Sequence, residues 1–176
     1  MSGTTTPPPA GGYDFWGRQI EALGDREAIV VLAETPDELL RILGQYSEED
    51  LRRRPEEGGW SAAEVMGHLL DTEWIFGFRL RTILCDAEPT FPGVDQDLWV
   101  ARQRWNRRSV LDTVGRFGVL RAFTVDLYRE LSEEDLDRTG LHTGADSELS
   151  LDLMERIQAG HDLVHLSQIR RCLGAE

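Results

Sequence analysis

The chain has 176 residues, enough for one domain around a single sizeable core, and its 40% apolar and 29% charged residues are the balance of a globular protein. Nineteen basic against thirty-two acidic residues leave a formal charge of −13, a field that repels phosphate backbones and anionic membranes, so neither nucleic acid nor a membrane surface is expected as a partner. No apolar run approaches the ~20 residues of a membrane span.

The opening MSGTTTPPPAGG lacks the basic start and apolar stretch of a secretory signal, and residues 1–24 read as a disordered or loosely ordered tail ahead of a domain over 25–176. A cytoplasmic location is the expectation, with Cys85 and Cys172 as free thiols acting as small buried hydrophobes. The first helix is predicted from about Arg26 to Gln45, with Ile29, Leu32, Leu39, Ile42 and Leu43 as its apolar positions. Pro36 interrupts it. Because Thr35, Pro36 and Glu38 suit N-cap, N1 and N3, the stretch is either two helices or one bent at the proline.

Ser61 and Glu64 form a capping box for a second helix running to about Leu84, with Trp60 placed to staple onto Val65. A long connection follows, and its turn residues argue against a continuous helix through VDQDLWVARQRWNRR. The third helix spans about Ser109 to Leu131. The fourth is capped by Ser150 and stops at Gly174. No stretch alternates as a strand does, so the fold class is all-α, a four-helix bundle. SEEDLRR from Ser47 and SEEDLDR from Ser132 echo one another after the first and third helices, which suggests two related hairpins with the second and fourth helices side by side.

His161 and His165 leave one helix face a turn apart, on an inward stripe with Met154, Gln168 and Cys172. His68 lies on the apolar face of the second helix among Val65, Leu69, Thr72, Ile75 and Phe76. Burying three imidazoles without partners costs a few kcal/mol each, and one metal ion serves all three. Neutral imidazoles favour zinc, nickel, iron or copper over magnesium or calcium, and three protein ligands leave a coordination position open.

Glu64 and Asp71 flank His68 by one turn and are the candidates for a base or an orienting carboxylate, with Glu73 and Asp162 as further polar neighbours. Gln168 is placed to bind substrate or water. Arg102, Arg104, Arg107 and Arg108, interleaved with Trp99 and Trp105, are candidates to select an anionic small-molecule substrate if their loop folds over the open end of the bundle. Trp74, Phe76 and Phe78 cannot all face one core, which leaves an aromatic for a partner surface and makes a homodimer the expected assembly.

The segments GGWSAAEVMGHLLDTEW, VDQDLW and HDLVH resemble the DinB/YfiT-like family of metal-dependent proteins over about Arg26 to Gly174. The resemblance implies a four-helix bundle with a long crossover between its second and third helices, and a metal triad at His68, His161 and His165. It further implies chemistry with low-molecular-weight thiols, as S-transferases or isomerases, with a thiol as co-substrate. The resemblance leaves open a hydrolase, a thiol transferase, and a non-catalytic metal-binding or stress-response bundle, and the residues also allow a bundle with structural histidines and no metal that acts through its aromatic surface. The chain departs from relatives with further histidines at Asp162 and Leu163.

Overall fold

The computed structural model describes residues 12–55 and 59–175. Its elements run α1 (Gly12–Leu23), α2 (Ala28–Leu43), α3 (Glu48–Arg52), α4 (Ala62–Cys85), β1 (Thr90–Phe91), α5 (Gln96–Gln103), a 3₁₀ turn (Trp105–Arg107), α6 (Val110–Glu130), α7 (Glu133–Leu136), β2 (Thr139–His142), β3 (Ser147–Ser150) and α8 (Leu151–Cys172). The four long helices α2, α4, α6 and α8 are the four expected from periodicity. Their ends sit where the capping residues put them, with Ser61, Ser109 and Ser150 each accepting the N3 backbone N–H.

Around the bundle the order is α2, α6, α4, α8. Ser61 at the start of α4 donates to Asn106 just ahead of α6, and Glu73 meets Arg121 about three turns into both helices, so α4 and α6 run parallel. Glu38 meets Arg170 late in α2 and in α8, so this pair is parallel too. His68, early in α4, meets His161 at the middle of α8, and Trp60 just ahead of α4 meets Cys172 at the end of α8, so that pair is antiparallel. Parallel neighbours cannot be joined by a tight loop, and the segment between Cys85 and Ser109 is the crossover that carries the chain back. The two echoing segments are α3 and α7, each begun by a serine and aspartate capping box.

Two apolar clusters fill the bundle, one around Leu69, Trp105, Val114 and Phe117, the other around Leu32, Phe76, Leu80 and Leu149. Between them lies a polar layer. Arg121, 2% exposed, donates to Glu73 Oε2 at 2.7 Å and to Asp162 Oδ2 at 2.5 Å, while Thr124 and Gln158 also donate to Glu73. Arg121 Nη1 donates as well to the Leu32 carbonyl at 3.1 Å. That carbonyl is the one Pro36 strands, because proline has no N–H to return to the residue four before it. The guanidinium thus lets α2 continue through its proline as one helix.

Three expectations are corrected. The tail contains helix α1, which packs on α8 so closely that a Cβ at Gly160 would overlap the Gln19 carbonyl; residues 1–11 lie outside the described residues. Trp16, Ile20 and Leu23 at helical spacing were its signal. A small sheet of order β1-β2-β3 closes the end of the bundle opposite the histidines, β1 parallel and β3 antiparallel to β2. Strands of two and four residues are too short to show alternation. Cys85 is exposed and Cys172 half-buried, so neither is a core thiol. Among the described residues no helix is long and apolar enough to cross a membrane.

Candidate metal centre

The box that starts α4 also builds the site. Ser61 accepts from the Glu64 N–H, and Glu64 Oε2 accepts from the Ser61 N–H at 3.0 Å. This fixes the preceding Trp60, whose indole stacks near-parallel on His165 and tilts over His68 with centroids 4.9 Å apart. One turn into α4, His68 turns inward. From α8, His161 and His165 meet it, and the three potential ligand atoms lie within 4.8 Å of one another.

The His68 and His161 Nε2 atoms stand 3.1 Å apart. Two nitrogens bound to one tetrahedral ion at ~2.05 Å would be roughly 3.3 Å apart, so the pair is already near ligating separation. His165 Nδ1 hydrogen-bonds Gln168 Oε1 at 2.8 Å, which leaves Nε2 as the nitrogen available to a metal. A partner of this kind fixes the tautomer of a ligating imidazole. His161 Nδ1 is buried without a partner among the described residues, so this ring lacks the outer hydrogen bond that His165 has.

Electrostatics favours neutral rings. Burial and the nearby His165 push the His68 pKa down to about 3. Burial, with His165, His68 and Arg121 acting in the same sense, drives His161 well below its ordinary value. Burial also lowers His165, against the Gln168 bond and Asp162, which pull it up. Three neutral imidazoles, two buried and one half-buried, are a set of lone pairs suited to one cation. The donor set fits a divalent transition metal.

The other expected residues are placed differently. Glu64 is occupied by its capping role and by an ion pair with Arg54. Asp71 turns away and accepts from Trp105 Nε1 and Gln103 Nε2, both at 2.7 Å, which ties α4 to the crossover. Gly67 makes room for that indole, since a Cβ there would fall on the Trp105 ring. Among the described residues no carboxylate joins the histidine cluster, so the expectation of Glu64 or Asp71 beside the ligands is corrected. Glu73 and Asp162 belong to the Arg121 layer.

Arg102, Arg104, Arg107 and Arg108 are exposed on α5 and the 3₁₀ turn. Arg104, in the left-handed conformation with φ of 57°, and Arg107 line a neighbouring cleft with Glu64 and Arg54. Arg108 lies over the Trp105 ring at 4.8 Å. The cavity that the histidines open into, about 520 Å³, is lined instead by Arg18, Gln19, Trp60, Gln96, Gln168 and Arg171, so the expected arginines do not reach it. Arg18 was missed because its helix was read as a tail.

The family model for the DinB superfamily matches residues 32–169. A protein of Oceanobacillus iheyensis named "Putative metal-dependent hydrolase OB0413" is 28% identical over 158 residues, 90% of this chain and 83% of its own. A similarly named protein of Geobacillus kaustophilus is 24% identical over 152 residues, 86% of this chain and 85% of its own. The solved structure of YfiT from Bacillus subtilis, described as a four-helix bundle of unusual topology, superposes with a TM-score of 0.71 at 18% identity, covering 97% of this chain and 94% of that one.

Proposed function

The chain belongs to the DinB superfamily, and from that premise we propose that it is a divalent-metal-dependent hydrolase acting on a small molecule bound in the cavity beside His161 and His165. The observation that carries this reading is the convergence of three imidazoles, two buried and one half-buried and all favoured in the neutral form, at the wall of a cavity. The relatives' names support it. Zinc or nickel suits the donor set best, with iron next.

When bound, the ion lowers the pKa of a coordinated water or thiol and polarises the bond to be attacked. The residues around it do the rest. His68, His161 and His165 would hold it, with His161 and His165 also lining the cavity from which a substrate would approach. Gln168 keeps His165 in its ligating tautomer. Trp60 covers two of the rings and excludes water from that face.

One observation favours thiol transfer as a second reading. Among the described residues the cavity carries no carboxylate to serve as a base. A coordinated thiol gives up its proton outright, whereas water is acidified only to about 7. On this reading a low-molecular-weight thiol is the co-substrate. We also take the protein to act as a homodimer in the cytoplasm.

The test is reconstitution of metal-free protein with zinc, nickel or iron(II), followed by chromogenic esters and amides, and separately by thiols with an electrophilic aryl halide. Turnover that needs the metal and falls at least about 100-fold in His68→Ala supports the proposal. No turnover with any ion, together with a sharp fall in melting temperature on chelation, would replace catalysis with a structural metal.

A further inference from the structure

The histidine cavity differs from the neighbouring clefts in the carboxylates it lacks. In a chain with thirty-two acidic residues, each of those clefts holds at least one carboxylate beside its arginines, the one at Glu64 with Arg54, Arg104 and Arg107 among them. This cavity is lined by two arginines and, among the described residues, by no carboxylate. Arg18 comes from α1 and Arg171 from the last turn of α8. Arg18 is exposed and pairs with no carboxylate among the described residues, and Arg171 Nη1 donates to Ser167 Oγ at 3.0 Å.

Other polar groups of the wall are uncharged. Gln19 Oε1 is buried with no partner among the described residues, and Gln96 and Gln168 add carboxamides. Arg18 lines the same cavity as His161 and His165, so its guanidinium stands on the wall that faces whatever the metal holds.

We propose that Arg18 and Arg171 form an oxyanion-binding subsite of the histidine cavity, so that the substrate is a small molecule carrying a carboxylate or phosphate beside the bond presented to the metal. This rests on the metal-dependent reading above. Guanidinium groups suit such an anion because their planar fork offers paired donors and they are less strongly hydrated than an ammonium. The net negative charge of the chain disfavours an anion at large, so a site with two guanidinium groups and no carboxylate among the described residues stands out against it. Arg18 and Arg171 bind and orient; the proposal assigns them no proton transfer.

The test is calorimetric titration of zinc-loaded, full-length protein with succinate, inorganic phosphate and neutral succinamide, repeated on Arg18→Gln, Arg18→Lys and the double variant Arg18→Gln, Arg171→Gln. Metal content is measured in each sample. Succinate or phosphate should bind, lose about tenfold in affinity in Arg18→Gln, recover part of it in Arg18→Lys, and be lost in the double variant, with one metal per chain throughout. The tighter of the two anions identifies the source. Affinities within twofold across all variants, no binding of either anion to the loaded wild type, or succinamide binding as tightly as succinate would overturn the subsite while leaving the metal centre standing. Arginine-dependent succinate binding by a wild type that takes up no metal would do the reverse.

Discussion

His165 has a different demand on each ring nitrogen: Nδ1 is held by Gln168, which leaves Nε2 available to a metal. Losing the carboxamide in Gln168→Leu should therefore lower zinc affinity about 10–100-fold without unfolding the protein, checked by competition against a chromogenic chelator. Unchanged affinity would show that the ring needs no outer partner. In metal-free protein, His68 has a folded pKa of about 3 and His161 lies well below its usual value. The unfolded chain then binds more protons than the folded one below the unfolded value near 6.5, so stability is full above that pH and declines as pH falls toward 3. Urea melts of the metal-free protein at pH 7.5 and 5 should show this loss, and His68→Gln should reduce it. The triad was legible from spacing alone, because residues four apart on an inward stripe declare their face. Asp71 was not, since its partner Trp105 lies across the fold and no local pattern reports it.

Helix α2 shows how an element depends on another for a break in its own ladder. Pro36 strands the Leu32 carbonyl, and Arg121 from α6 takes it up while pairing with Glu73 of α4 and Asp162 of α8. Burial alone would lower the pKa of this guanidinium; Asp162 and Glu73 more than reverse that and keep it charged. Arg121→Met should cost about 3–5 kcal/mol by leaving two buried carboxylates unpaired. Adding Pro36→Ala to that variant returns an N–H to Leu32 and should recover about 1 kcal/mol, seen as a shift in urea midpoint. Equal effects of Pro36→Ala in both backgrounds would contradict the link between the two residues. The sequence marked the helix ends through their serines but left the proline ambiguous. What decided between two helices and one was a side chain 85 positions away in the chain.

For the molecule as a whole, the parallel pair α4 and α6 presents Trp74, Phe78, Leu111, Val119 and Phe123 to the outside, each at least 60% exposed, along adjoining grooves. An apolar stripe of this size on an otherwise charged chain is expected to close on a second copy. Light scattering should give a dimer for the wild type and a folded monomer for the double variant Trp74→Glu, Phe123→Glu, and a monomeric wild type would remove the dimer from the account. The bundle and its crossover were legible because caps, periodicity and loop length agree with one another. Helix α1 and the sheet were not: one follows a segment rich in glycine and proline, the other is built of strands too short to alternate.

The most direct test is elemental analysis by plasma mass spectrometry of protein carrying no histidine tag, beside the variant His161→Ala, His165→Ala. About one zinc, nickel or iron per chain, absent from the variant, is the predicted result. Metal-free wild type that also fails to take up added zinc or nickel, or a variant that keeps full occupancy, would contradict a centre built on His68, His161 and His165.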